Sequence, residues 1–373
     1  MRAAECLVVG GGLAGSTAAL RMAEAGREVL LLEKENGPHH KVCGEFLSAE
    51  AVAYLRDAGV DPAGLGAAPI HRLRVSTGRS LAETELPFPA LSLSRCVLDE
   101  ALLQRAIAAG ATVLRGANVD MLHREAGRWT ADLAGNESVE GRALFLASGK
   151  HEVRGWRRDE SATAVQDDLV GFKAHWRLDE QQTAKLRGWM ELYFFRGGYG
   201  GLALVEREVA NLCLVVRRRF LRKLGGWPAL LEYLQRADAL LRERLADAQA
   251  LWPKPLAISS IPYGFVAQPD PGLWRVGDQA TVIPSFTGDG MSIALHSASM
   301  AAQMYLAGAR AEKYQEKLAG SLARSMRVAT FFSRASVNPV ARLIGPPLLR
   351  GFPQAMRWIA GATRIPNEAL LAR

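Results

Sequence analysis

The stretch from Cys6 to Glu33 constrains this chain more than any other. Cys6-Leu7-Val8-Val9 is a short apolar run of the kind that forms a buried parallel strand. Gly10, Gly12 and Gly15 follow in the spacing G-x-G-x-x-G, with Leu13 and Ala14 between them. A helix-like pattern runs from Ser16 to Ala25 and stops at Gly26, and a second apolar run, Val29 to Leu32, ends in Glu33. Strand, glycine turn, helix and strand make a βαβ unit. Gly10 allows the tight turn, Gly12 lets the backbone approach a pyrophosphate, and Gly15 lets the helix pack closely. The helix N-terminus offers free N–H groups and a partial positive charge. Glu33, with Lys34 beside it, is placed to accept from a ribose diol and would repel a 2′-phosphate. The stretch predicts a bound dinucleotide, and alone it accommodates FAD and NAD equally.

A second corner lies far downstream. Trp274-Arg275-Val276 reads as a strand ending in Gly277-Asp278, Pro284 marks a crossing loop, and Gly288-Asp289-Gly290-Met291-Ser292 leads into a helix. Asp278 can accept from a ribityl hydroxyl, while the N–H groups from Gly288 to Ser292 suit a pyrophosphate or a flavin edge.

These two corners flank a helix reading Arg95-x-x-x-Asp99-x-x-Leu102. Over roughly residues 1–300 the chain resembles the FAD-dependent superfamily that includes p-hydroxybenzoate hydroxylase-type monooxygenases and geranylgeranyl reductases. The resemblance implies FAD as resident cofactor, with Arg95 beside its ribityl or pyrophosphate region and Val119 among its neighbours. No separate nicotinamide-binding motif accompanies it, so NAD(P)H is expected as a transient electron donor.

Lys41-Val42-Cys43-Gly44 is similar to a K-x-C-G segment that lies near the flavin ring in the geranylgeranyl reductase branch. Gly198-Tyr199-Gly200, Val209 to Leu212 and Pro262-Tyr263-Gly264 resemble that branch too, but its aromatic pair and proline after the tyrosine are replaced by Gly201-Leu202-Ala203-Leu204. Where the superfamily carries Asp-Gly, this chain has Ser148-Gly149, then Lys150 and His151. Those two can stabilise a reduced anionic flavin or a phenolate; a solvated loop accounts for them equally well. The Trp-x-Trp-x-x-Pro signature of flavin halogenases is absent. Cys43 can donate a proton to a substrate carbanion, or be an inert buried thiol. Cys43, Lys150, His151 and Tyr199 are thus the catalytic candidates.

With 373 residues, 49% of them hydrophobic, the chain can bury a large core. The predicted architecture is α/β. A Rossmann-like, parallel FAD-binding core over 1–70, 94–165 and 268–310 interleaves with an antiparallel β-sheet substrate domain over 71–93 and 166–267. A basic helical C-terminus, 311–373, completes it. Strands are expected at His71–Ser76, Leu81–Leu86, Ala90–Leu93 and Ala143–Ala147, and a charged helical region from Pro228 to Ala250. The net charge of +8 sits entirely in residues 301–373, so no nucleic-acid-binding body is indicated. That tail, broken by Pro339, Pro346, Pro347, Pro353 and Pro366, reads as a helical cap, with peripheral membrane contact as the minor alternative. No apolar stretch is long enough for a transmembrane helix, no signal peptide is indicated, and the four scattered cysteines suit a cytoplasmic protein. The leading expectation is monooxygenation of a hydrophobic phenolic or polyketide-type molecule through a flavin C4a-hydroperoxide. The alternative is reduction of C=C bonds in a prenyl chain, and a non-catalytic flavin-binding protein ranks third.

Overall fold

β1 (Arg2–Val9), α1 (Leu13–Glu24) and β2 (Val29–Glu33) form the expected βαβ unit, with Cys6 opposite Val29 and Val9 opposite Leu32 in parallel register. The structure is a computed structural model that describes residues 2–135, 137–159, 166–336, 354, 361–366 and 369–370. The turn into α1 is tighter than its spacing alone suggests. Gly10 has φ +104°, and a Cβ there would lie 2.5 Å from the Ala147 carbonyl oxygen. A Cβ on Gly15 would lie 1.7 Å from the Gly10 oxygen. Gly15 therefore closes the turn on itself, a more local task than helix–strand packing.

The chain then crosses to a second layer through β3 (Phe46–Leu47) and α2 (Ala49–Asp57), whose Ser48 cap accepts from Ala51 N–H. β4 (Ala68–Ser76) and β5 (Leu81–Ser92) pair antiparallel. The two strands expected at Leu81–Leu86 and Ala90–Leu93 are one. Pairing jumps from Ile70–Ala90 to Arg72–Glu85, so Leu86 to Pro89 bulge out, and Pro87 and Pro89 sit where no ladder donor is needed. α3 (Arg95–Ala108), capped by Ser94, returns to the first layer and delivers β6 (Thr112–Arg115) beside β2.

A meander of β7 (Val119–Glu125), β8 (Arg128–Leu133) and β9 (Glu137–Leu146) follows. β9 is longer than the expected Ala143–Ala147 strand, because its first half pairs with β8 while Val139 to Leu146 runs parallel to β1. The second layer resumes with β10 (Leu169–Arg177), α4 (Glu180–Leu186), β11 (Gly188–Phe195), β12 (Gly198–Leu204) and β13 (Ala210–Arg217).

After α5 (Arg218–Leu224), two helices, α6 (Trp227–Ala237) and α7 (Ala239–Leu245), replace the single helical region expected from Pro228 to Ala250. Gly225-Gly226 separates α5 from α6, and Asp238 ends α6 while its carboxylate caps α7. β14 (Gln249–Ala250) and β15 (Leu256–Ser259) edge β10, β16 (Leu273–Arg275) joins β9, and α8 (Gly290–Leu306) and α9 (Ala311–Ser336) complete the order.

The seven-stranded sheet runs β6-β2-β1-β9-β8-β7 with β16 also beside β9; the nine-stranded sheet runs β14-β10-β13-β12-β11-β4-β5-β3 with β15 beside β10. α1, α2, α3, α8 and α9 share one core against the first sheet. α4, α6 and α7 cover one face of the second, leaving the other toward a cavity between the layers. α9 packs as a cap through Tyr314, Leu318, Leu322, Met326 and Ala329. Among the described residues no helix is long and apolar enough to cross a membrane. The tail prolines Pro339, Pro346, Pro347 and Pro353 lie outside the described residues.

Gly15→Ala should lower unfolding stability by about 3 kcal/mol or more, since the added carbon meets backbone. Gly37→Ala, where a Cβ meets nothing within 4 Å, should stay within about 0.5 kcal/mol of the parent. Urea denaturation followed by circular dichroism measures both.

Candidate functional site

The cavity has a volume of about 1970 Å³ and runs from the glycine-rich turn to the inner face of the second sheet. Ligand pockets commonly measure roughly 300–1,000 Å³. The space therefore accommodates a dinucleotide and a sizeable second molecule.

At one end stands an anion cradle. Gly12 caps α1 with extended backbone, no side chain caps the helix, and no acid occupies its first turn. Opposite it are two cations: a Cβ on Gly12 would lie 3.2 Å from Lys41 Nζ and 3.5 Å from an Arg95 guanidinium nitrogen. Both are oriented by Asp99, which accepts from Lys41 at 2.9 Å and from Arg95 at 2.6 and 2.9 Å. Burial alone would push the Asp99 carboxyl up, but Arg95 and Lys41 hold it below its usual range. Helix N-terminus and paired cations around a bare backbone suit a diphosphate, so the residues present fit FAD. Gly10, Leu13 and Ala14 line the same wall.

Glu33 is buried and has a task that the spacing did not reveal. One oxygen accepts from Gly11 N–H at 2.7 Å and the other from Glu35 N–H at 2.9 Å. It thereby holds the glycine turn in place and keeps free lone pairs for a ribose diol. Lys34 and Val119 line the wall nearby.

The second expected corner faces the first across the cavity, with Gly277, Asp278, Gly288, Gly290 and Met291 on its lining. Gly15, Pro284 and Ser292 are set back from it. Ser292 is buried with its hydroxyl on the Asp289 carbonyl, and the Pro284 carbonyl accepts from Thr287. Arg364 folds back to pair with Asp289 at 2.7 Å and to donate to the Thr287 carbonyl at 3.1 Å. Burial nevertheless pushes the Asp289 carboxyl up to about 7.

Lys150 and Asp278, expected in separate roles, form an ion pair at 3.0 Å. Burial works against the Lys150 charge, yet Asp278 raises its pKa overall. His151 sits exposed at the rim, where the surrounding protein still displaces part of its hydration; that partial desolvation, with Lys34, Lys150 and Lys41, lowers its pKa and favours the neutral ring. The loop carrying both is fixed from behind by Gln279, which donates to the Gly149 and His151 carbonyls at 2.9 Å, and by Arg158, which donates to the Lys150 carbonyl at 2.9 Å.

Val42, Cys43 and Gly44 line the middle of the cavity. Glu45 N–H donates to Cys43 Sγ at 3.3 Å, Asn211 Nδ2 donates to its carbonyl at 3.2 Å, and Asp99 and the Cys43 sulfur both favour the charged Arg95 guanidinium. Tyr199 stands across from this loop, its hydroxyl 2.9 Å from Ser285 Oγ, which also accepts from Tyr263 at 2.7 Å. Burial drives the Tyr199 pKa well up, with Tyr263 adding to it, so the phenol stays protonated.

The most consequential group was invisible in the sequence. Glu45, fully buried at φ +60°, bonds Lys173 Nζ, His175 Nε2 at 3.3 Å and Arg95 N–H at 2.7 Å. Trp252 stacks on His175 at 4.4 Å, and His40 packs against both. Burial, with Lys173 and His175, lowers the His40 pKa to about 4. His40, Glu45 and His175 could gather round a metal ion, but Lys173 already supplies the cation there.

Comparison with known proteins agrees with this geometry. Residues 3–148 match the FAD binding domain family. The chain is 27% identical over 360 residues to menaquinone reductase of Mycobacterium tuberculosis, covering 87% of this chain and 82% of the relative. It is 29% identical over 313 residues to digeranylgeranylglycerophospholipid reductase 2 of Methanopyrus kandleri, covering 78% and 74%. Among solved structures, the flavin-dependent brominase Bmp2 superposes with a TM-score of 0.76 at 18% identity, covering 99% of this chain and 96% of the other; this likeness concerns the fold alone.

Lys173→Met should cost about 3–5 kcal/mol of stability by stranding the Glu45 charge, and Glu45→Gln in the same chain should recover part of that loss. A urea-melt double-mutant cycle measures the coupling; additive single effects would contradict it.

Proposed function

We propose that this chain, whose residues 3–148 match the FAD binding domain family, reduces carbon–carbon double bonds in the isoprenoid chain of a lipid. The observation that carries the proposal is the cavity: beyond the dinucleotide cradle it continues along an apolar sheet face past a lining loop that presents a thiol, Cys43, with Cys213 on the sheet beside it. Two relatives matched over most of their length bear the names of reductases of isoprenoid lipids, which supports the same reading.

Bound FAD supplies the hydride. Everything else falls to this chain. The α1 N-terminus, Lys41 and Arg95 hold the diphosphate, Glu33 the ribose, and Asp278 a polyol hydroxyl. Leu192, Met190 and Val75 keep water from the double bond. Cys43 Sγ gives its proton to the carbon that does not receive the hydride, Arg95 balances the charge left on sulfur, and water at the cavity mouth returns the proton. The double bond thus gains two hydrogens. The electrons come from NAD(P)H or a reduced protein carrier.

Hydroxylation of a phenolic or polyketide-type substrate is the second reading. Lys150 favours it, as a cation on the cavity wall able to hold a phenolate, although Asp278 already matches its charge.

Mass spectrometry of the product separates the two. Chemically reduced holoenzyme incubated with a geranylgeranyl lipid without oxygen should add two hydrogens per bond reduced. No mass change without oxygen, followed by a product that carries one oxygen atom once air is admitted, would sink the reductase reading. Cys43→Ser should lower turnover by about 10²–10⁴ with FAD content unchanged; full turnover would remove the thiol from the proton path.

A further inference from the structure

The apolar face of the cavity ends in charge. Along β4 the lining residues are Leu73 and Val75, and the same two-residue alternation continues into the turn as Thr77 and Arg79. Along β11 they are Met190, Leu192 and Phe194, and the alternation continues to Arg196. β4 and β11 pair in parallel with Ser76 opposite Tyr193, so three residues further on Arg79 and Arg196 reach the same end of the sheet.

Both arginines are exposed, and among the described residues neither has a hydrogen-bond or ion-pair partner. The acids on the elements packed around them are already engaged. Asp238 accepts from Ser76 and from the N–H groups of Leu240 and Leu241. Glu232 pairs with Arg236, and Asp168 lies 3.5 Å from Arg217. Further positive charge follows on α5, which packs Phe220 against Gly197 and carries Arg219, Arg222 and Lys223. Thr77 and Tyr233 add hydroxyls to the lining at this end.

The opposite end of the same wall lies at the thiol loop. Gly201 packs on Met190 Sδ and pairs with Cys213 on β13, the strand whose Asn211 holds the Cys43 carbonyl. Six residues separate Met190 from Arg196, which at a strand rise of about 3.3 Å per residue is roughly 20 Å. A phenol cannot span that distance. Two unpaired guanidinium groups at the end of a long apolar wall match the bidentate recognition of phosphate oxygens. The other anion cradle, at Gly12, is committed to the cofactor.

We propose that Arg79 and Arg196 bind the anionic head, a phosphate or diphosphate ester, of an amphiphilic substrate whose apolar chain runs back along β4 and β11 toward Cys43. This rests on the reductase reading for the identity of the chain, but the head-group site can be tested without turnover.

The oxidised holoenzyme is titrated with geranylgeranyl diphosphate and with geranylgeraniol, and binding is read from the perturbed flavin absorbance. The diphosphate should bind about tenfold tighter or better, with the difference shrinking at high salt. Arg79→Gln and Arg196→Gln should each remove most of that difference and leave geranylgeraniol affinity within about twofold. Equal affinity for ester and alcohol in the parent, or variants that keep the preference, would overturn the proposal. So would displacement of the ester by inorganic diphosphate at equal concentration, which would make this a site for the free anion. Arginine-dependent binding of an ester that gains no hydrogen would sink the reductase reading and leave the head-group site standing. Equal hydrogen uptake into ester and alcohol with equal KM would do the reverse.

Discussion

A single buried carboxylate joins the two layers of this protein. Glu45 follows the thiol loop, and its bonds run to the α3 N-terminus on one side and to Lys173 and His175 of β10 on the other. Removing two charges from water costs several kcal/mol per ion, and a left-handed backbone at a non-glycine residue costs about 1–3 kcal/mol more. Such a residue persists only where its surroundings over-determine it, and here they do. The Glu45 carbonyl also accepts from Leu93 N–H and Ser92 Oγ, so backbone and side chain are both held. Two residues upstream, Cys43 can take only the position this anchor leaves it.

The two anion sites differ in how they are prepared. Lys41 and Arg95 are clamped by Asp99 before any ligand arrives, which suits a cofactor that stays bound. Arg79 and Arg196 have no such clamp among the described residues. Their side chains must order when they bind, and the entropy lost then weakens affinity and permits release. A resident group and a substrate that turns over ask for this difference.

What could be read in advance follows from the range of each constraint. The glycine turn, α1 and Glu33 lie within one short stretch, and the physical demands of such a turn are written in adjacent residues. The second corner was legible for the same reason. β5 was not: Pro87 and Pro89 look like a break until the bulge opposite Ile70 and Arg72 shows that their missing donors are never needed. The helical region after Pro228 hid its division because Asp238 both ends one helix and caps the next. The Glu45–Lys173 bond joins residues 128 positions apart, and no local pattern announces a charge that finds its partner across a sheet. Ser285 was overlooked and Tyr263 was legible only as part of a motif, since their hydroxyls meet only once the loop after β16 closes. Lys150 and Asp278 were legible one by one, but their pairing needed the fold.

The order of strands in the first sheet also has a consequence for the chain during its own synthesis. β1 pairs with β9, β9 pairs with β16, and the Gly277 turn packs its backbone against Ala14 of α1. The opening βαβ unit thus leaves the ribosome long before the segment that completes its face, and the whole of the second sheet's β10 to β15 emerges in between. Until α8 arrives, part of the apolar surface of α1 has no cover. Pairings of such long sequence separation form slowly, and exposed apolar surface on a nascent chain is the substrate of chaperones and of aggregation. A truncated chain that ends before residue 290 should accordingly be a poor independent unit, even though it contains the complete dinucleotide fingerprint.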